Sequence, residues 1–441
     1  MDNPSTEHFK ISYRWVIVGI LWLIHALVFM NLSGLGILAP FIKDELGLSS
    51  FQIGFLISSL SIGAALIQMP AGLVVDFAGV RRMMSMAIGA VGIFLVLFSF
   101  APSFPIALAI LLFHGLANGI ITPAASKSVL DWFPHGGRAT AMGLKQTGVN
   151  FGGIFAGLLL PTLAILFNWR QSLLAVGLIE MAAAFLVYRL LREAPVRSDG
   201  PREALVWGKI LRMAMRRDML LLGGIGFCFM ASQFCFSTYL ILFLTREMQY
   251  PIVQAGWYYA LSFFIGAGSR ILWSMGSDYL FAGRRKGTLF AIAAILFLSS
   301  LTLGAISFFP LLSPLLTIAI IAFGISGIGW NAVFLTIVGE AANKESTGLA
   351  VGVGYFFGFL GGLAGPPIFG LLVDRTDAYG LPWLFLSLCA GMILVLLGFF
   401  RERKTTVPLK AMNGKESNHV SGKEVSGLRP RTMFARLYRK D

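Results

Sequence analysis

The sequence predicts an all-α membrane protein of twelve transmembrane helices arranged as two pseudo-symmetric six-helix bundles. Three observations predict it: apolar blocks of membrane-crossing length, a one-sided distribution of basic residues, and a second half that repeats the first. Of the 441 residues, 56% are hydrophobic and 13% are charged, against roughly a quarter charged in an average soluble domain. Mean hydropathy is +0.78, more than one buried core can hold beneath a polar surface. The apolar residues fall in blocks of about 20, the length a helix needs to cross ~30 Å of hydrocarbon. Lipid offers no partner for backbone N–H and C=O groups, so these blocks are expected to be helices. The 50 glycines fit this reading, because small residues let membrane helices approach closely.

Spans are placed near 15–37, 50–75, 82–100, 104–127, 139–165, 170–191, 218–244, 252–275, 287–308, 311–338, 346–371 and 382–400. The even-numbered loops with their flanks, and both termini, then hold 29 of the 35 Lys and Arg. Odd-numbered loops hold Lys43, Arg170, Arg246 and Arg375, and Lys145 and Arg270 lie within spans. This positive-inside bias puts both termini in the cytoplasm of a multi-pass bacterial inner (plasma) membrane protein. It accounts for the net charge of +14 as topology, without nucleic acid. Residues 1–14 are polar, and the apolar run after them is too long for a cleavable signal. Cys228, Cys235 and Cys389 all lie inside spans, so neither a disulfide framework nor a metal site is expected, and no cofactor is called for.

The organisation that follows is a cytoplasmic N-terminus (1–14), an N-terminal bundle (15–191), a cytoplasmic central loop (192–217), a C-terminal bundle (218–400) and a basic cytoplasmic tail (401–441). The tail is expected to be disordered, with a basic end suited to anionic lipid or simply solvated. The two bundles resemble each other. Gly72-Leu-Val-Val-Asp76-Phe-Ala-Gly79-Val-Arg81-Arg82 is echoed by Gly276-Ser-Asp278 and Gly283-Arg284-Arg285-Lys286. Phe113-His-Gly115 is echoed by Phe323-Gly324, and the glycines of span five (148, 152, 153, 157) by those of span eleven (354, 358, 361, 362, 365). Duplicated halves are the architecture of an alternating-access carrier, with its substrate held between them near the midplane.

The pattern Gly-x3-Asp-x2-Gly-x-Arg-Arg between spans two and three resembles the signature loop of the major facilitator superfamily, over residues ~15–400. The resemblance implies a major facilitator fold, working as a monomer, and a conformational latch formed by Gly72, Asp76, Gly79, Arg81, Arg82 and Arg138. The second copy adds Asp278, Arg284 and Arg285. Asp131-Trp-Phe-Pro134, Arg138-Ala-Thr-Ala-Met-Gly143-Leu-Lys145-Gln-Thr-Gly148 and Gly365-Pro-Pro-Ile-Phe-Gly370-Leu-Leu-Val-Asp374 look like carriers of the anion:cation symporter type. Arg270 resembles the arginine with which monocarboxylate and oxalate–formate carriers hold carboxylate. Spans one and eleven lack the lysines those two branches carry.

A charge inside a span is costly, so each is a functional candidate. Lys145 lies ~10 Å into span five and Arg270 at comparable depth in span eight. If both face one cavity they repel unless an anion sits between them, Arg270 as a bidentate fork and Lys145 as a point charge. Otherwise Lys145 snorkels to the inner interface and Arg270 pairs with Asp278 or a helix C-terminus. His114 and Asn118 share a face of span four. Asn150, Gln233, Asn331 and Tyr355, with Asn31, Thr147, Tyr239 and Trp330, complete the neutral cavity candidates. His114, His25 and Glu180 are the proton-coupling candidates, and each has a bland alternative: interhelical hydrogen bonding for the histidines, a locally bonded structural carboxyl for Glu180. The leading expectation is a secondary transporter of a small carboxylate-type anion, coupled to H⁺ or another ion. The alternative is a proton-coupled exporter of drugs or hydrophobic metabolites. A membrane enzyme is disfavoured, since no phosphate-binding loop or catalytic cluster is present.

Overall fold

A computed structural model describes residues 4–133, 137–194, 207–279, 284–341 and 347–402. The tail from 403, most of the central loop and the turn at Pro134 lie outside the described residues, as do the side chains at Gly72 and Asp76. Spans one to six are the helices Pro4–Ile37, Ser50–Ala78, Val80–Ser99, Phe104–Trp132, Arg138–Phe167 and Trp169–Leu190. Spans seven to nine are Arg217–Leu242, Ile252–Tyr279 and Arg285–Phe308, and spans eleven and twelve are Thr347–Thr376 and Gly380–Phe399. By length and composition, 11 segments among the described residues can cross a membrane. Span eight, which carries Arg270, is the long helix that falls short of that apolarity.

Span ten differs from the single helix expected. It runs as a 3-10 turn (Pro310–Leu315), an α segment (Leu316–Phe323), a π segment (Gly324–Ile328) and a second α segment (Asn331–Glu340). Gly324, Gly327 and Gly329 weaken the α preference here, and the loosened carbonyls of Ile325 and Ile328 accept from Trp273 and Arg270 of span eight. Span one also starts earlier than expected, since the helix continues back through the polar residues to Pro4.

The duplication is visible in the packing. Span one packs on five, two on four and three on six, and the second half repeats this with seven on eleven, eight on ten and nine on twelve. The halves meet through two symmetry-related pairs, two with eleven and five with eight, and through one with seven. Glycines set these distances. A Cβ at Gly115 would lie 2.3 Å from the Leu60 carbonyl oxygen, and one at Gly152 2.3 Å from that of Ala26. Span five uses two faces, Gly148 and Gly152 against span one, Gly153 and Gly157 against span eight of the other half. Spans three, six, nine and twelve expose large apolar side chains such as Ile93, Ile179, Leu298 and Leu388, the surface a lipid solvent requires.

Gly115→Val should therefore force spans two and four apart. We expect a loss of about 1–3 kcal/mol from overpacking, read as a lower melting temperature of the purified protein in detergent.

Candidate functional site

The halves are closed against each other on the face opposite the termini. Ser49 begins span two with a capping box: its hydroxyl accepts from Gln52 N at 3.2 Å and Gln52 Oε1 accepts from Ser49 N at 2.9 Å. The next two N–H groups, of Ser50 and Phe51, donate across the interface to the two oxygens of Asp374, at 2.8 and 2.7 Å. A carboxylate at a helix N-terminus satisfies both orphan donors and the helix dipole. Tyr239 of span seven, stacked on Phe369 at 4.6 Å, donates to the Ser50 carbonyl at 2.7 Å. Pro367 has no N–H to offer the Leu363 carbonyl, and that carbonyl accepts from Ser58 of span two at 2.6 Å. An Asp44–Arg246 ion pair adds to the closure.

Below this closure lies a cavity of ≈ 100 Å³, part of it open. Phe29, Phe234 and Phe359 give it apolar walls, and Ser33, Ser61, Asn118, Gln233, Ser237 and Thr238 give it polar ones. Two predicted substrate residues, Asn118 and Gln233, line it. Gln233 Oε1 accepts from Trp330 Nε1 at 2.9 Å, and Trp330 stacks on Phe229.

The intramembrane cations sit away from these walls. Lys145 is buried and donates to Ser126 Oγ at 3.1 Å. Arg270 donates from Nη2 to the Ile328 carbonyl at 3.3 Å, and its buried Nε has no hydrogen-bond partner among the described residues. Asp278, the alternative partner for Arg270, is paired with Arg285 instead. Spans five and eight are in register where Gly157 meets Gly256 and Gly153 meets Phe263. Continued about two turns toward the termini, that antiparallel register sets Lys145 level with Arg270. Asn331 accepts from the Tyr355 hydroxyl at 3.3 Å in the same half as Arg270. Asn150 is buried, and its Oδ1 has no partner among the described residues.

The structure joins residues that the sequence left separate. Glu180 points inward from span six, between exposed Ile179 and Met181 on the outer face. Both its oxygens accept from Asn31 Nδ2, at 3.1 and 3.2 Å, and the same nitrogen donates to His114 Nε2 at 2.8 Å. His25 stands apart: its Nδ1 donates to the Leu21 carbonyl at 2.7 Å.

On the termini's face, Gly79 ends span two at φ +87, a backbone state suited to glycine. A Cβ there would come 2.7 Å from Glu193. Glu193 accepts from Arg81 N at 2.8 Å, while Arg81 Nε donates to the Tyr188 carbonyl and its guanidinium covers the Tyr188 ring. The second half repeats the device: Glu402 accepts from Arg285 N at 2.6 Å, and Arg285 also bridges Asp278 and Glu340. Sequence reasoning missed Glu193 and Glu402. Their signal was the Arg-Glu dipeptide after spans six and twelve, at 192–193 and 401–402. Arg138 donates to the carbonyls of Leu130 and Phe133 at the end of span four. Arg82 and Arg284 are exposed, and the expected role of Asp76 lies outside the described residues.

Asp374→Asn leaves one acceptor oxygen where two N–H groups converge, a loss of about 1.5–3 kcal/mol for a charged hydrogen bond. We expect the closed face to open more often. With Cys228, Cys235 and Cys389 replaced by Ala, a cysteine at Ser33 should then react faster with an impermeant maleimide applied from that face.

Comparison with known proteins matches this architecture. The chain is 26% identical over 378 residues to a hexuronate transporter of Bacillus subtilis, covering 81% of this chain and 88% of that one. It is 23% identical to a probable sulfoacetate transporter of Cupriavidus necator, covering 87% and 93%. Among solved structures, a bacterial homolog of the human lysosomal transporter Spinster, inward-facing and occupied, superposes with a TM-score of 0.72 at 18% identity, over 88% of this chain and 96% of that one. A nucleoside transporter gives 0.73 at 16% identity, over 88% and 98%. Residues 21–366 match the family model of the Major Facilitator Superfamily, and the chain belongs to that family, as a membrane transporter and not an enzyme.

Proposed function

We propose that this protein moves a small carboxylate-type organic anion by alternating access, coupled to H⁺ or another ion. One observation carries the reading: two intramembrane basic residues, Lys145 and Arg270, lie on contacting helices from opposite halves, at the same depth when the register of spans five and eight is extended, and neither forms an ion pair among the described residues. A buried cation without a counter-ion is costly, so an anion drawn from the central void would relieve both. Arg270, held by the Ile328 carbonyl with Nε free, can present a planar fork to a carboxylate. The relatives described as a hexuronate transporter and a probable sulfoacetate transporter support the same substrate class.

The asymmetry of the basic residues supports a bacterial inner-membrane protein with both termini in the cytoplasm. On that reading the arrangement described is closed to the outside and open inward. The Asp374, Tyr239 and Asp44–Arg246 contacts would part in the outward-open state. The latch residues Gly79, Arg81, Arg82, Arg138, Asp278, Arg284 and Arg285, with Gly72 and Asp76, would then close the cytoplasmic face. One chain carries both halves of the void, which supports a working monomer. The void's aromatic walls favour one other cargo, a hydrophobic metabolite leaving the cell.

The test is uptake of glucuronate, glucarate and sulfoacetate into proteoliposomes under an imposed pH gradient. Arg270→Gln and Lys145→Gln should each lower uptake about 30-fold or more, since removing one partner of a buried charge pair costs 2 kcal/mol or more. Wild-type uptake by both variants would overturn the anion site. Export of lipophilic dyes with no anion uptake would favour the second cargo.

A further inference from the structure

We propose that Asn31, His114 and Glu180 form one proton-binding site inside the N-terminal bundle, separate from the cation pair. The three residues come from spans one, four and six and are each fully buried. A single amide nitrogen, Asn31 Nδ2, links the imidazole to both carboxyl oxygens. A buried carboxylate normally needs a cation or several donors. Here one amide group is its hydrogen-bond donor among the described residues. The environment therefore binds a proton on Glu180 and releases it only when a change in the surroundings compensates.

Neighbouring titratable groups do not fill that role. On span one the nearest is His25, six residues or ~9 Å along the axis from Asn31. Lys145 of span five is bonded to Ser126, twelve residues or ~18 Å along span four from His114. Span three packs on span six through Gly92 and Val96 against Gly177, and its charges, Arg81 and Arg82, lie at its far end. Span two faces span four with Leu60 and Ala64, neither of which titrates.

The amide supplies the switch. As described, Nδ2 donates to both neighbours, an arrangement open to an ionised Glu180 and requiring a His114 whose Nε2 carries a lone pair. Asn31 Oδ1 and His114 Nδ1 have no hydrogen-bond partners among the described residues. Rotating the amide by half a turn places Oδ1 between the pair, where it accepts from a Glu180 O–H and a His114 Nε2–H. One proton from water then forms the Glu180 O–H bond. The proton on His114 resides on Nε2 rather than Nδ1, or on both when a second proton is bound. The site adjoins the transport path: Ser33, two residues from Asn31, and Asn118, one turn from His114, both line the void. A change in the void's water or anion content thus reaches the amide through the same two helices.

The assignment rests on the proton-coupled reading of the carrier, and two measurements separate their failures. In infrared difference spectra of the purified full-length protein, raising the pH should remove a protonated-carboxyl C=O band. Glu180→Gln should lack that band, and Asn31→Ser should shift its titration. A spectrum with no band assignable to Glu180 overturns the site whatever the substrate. In proteoliposomes with labelled glucuronate, one proton per monoanion supports tenfold accumulation per pH unit. Glu180→Gln should fall to no accumulation while exchange of labelled for unlabelled glucuronate, which needs no net proton, stays measurable. Wild-type accumulation in Glu180→Gln overturns the proton site and leaves the carrier reading standing. Absence of glucuronate transport by the wild-type protein counts against the carrier reading, and the infrared titration still decides the site.

Discussion

Hydrocarbon supplies no hydrogen-bond partner, so polar groups in the middle of this protein are turned inward, toward partners within the protein. That constraint explains features that otherwise look unrelated. The proline pair in span eleven frees the Leu363 carbonyl, and Ser58 from the other half takes it. The π segment in span ten turns carbonyls outward, and Arg270 and Trp273 of span eight take them. Glu180 sits on a helix whose other face is apolar and exposed, and it is turned inward to Asn31. In each case an irregular backbone or a buried charge marks a place where two helices are tied.

The pseudo-symmetry organises these ties. Because spans two and five correspond to spans eight and eleven, the interface between halves consists of two equivalent helix pairs. They are chemically unlike. The pair formed by spans two and eleven carries the hydrogen-bonded closure, with Asp374 on the start of span two. The pair formed by spans five and eight is joined through glycine and Phe263 and carries Lys145 and Arg270. The duplicated scaffold has diverged, one seam carrying the hydrogen-bonded closure and the other the two basic residues.

Much of the fold was legible in the sequence, because hydrophobic length, basic-residue asymmetry and the internal repeat are properties of single segments. The glycine series of spans five and eleven were legible as contact faces for the same reason. The site was legible only in part. Lys145, Arg270 and Glu180 stand out because a charge in an apolar run is conspicuous, whereas Asn31 is a small amide among many and its bridging role depends on where three helices meet. Glu193 and Glu402 hid in polar loops, where a carboxylate draws no notice until the backbone N–H it accepts from is known. The break in span ten was equally hidden, since glycine in a membrane helix signals close packing as readily as distortion.

The seating of Asp374 on the first turn of span two has a further consequence for the energy of opening. Those two N–H groups lie at the rim, where bulk water can reach them once the halves part. Water would replace the carboxylate at the helix end while hydrating Asp374 itself, so separation exchanges one set of hydrogen bonds for another. A closure built this way would part at a net cost far below the gross strength of its hydrogen bonds, within reach of a ligand that bound the open state better.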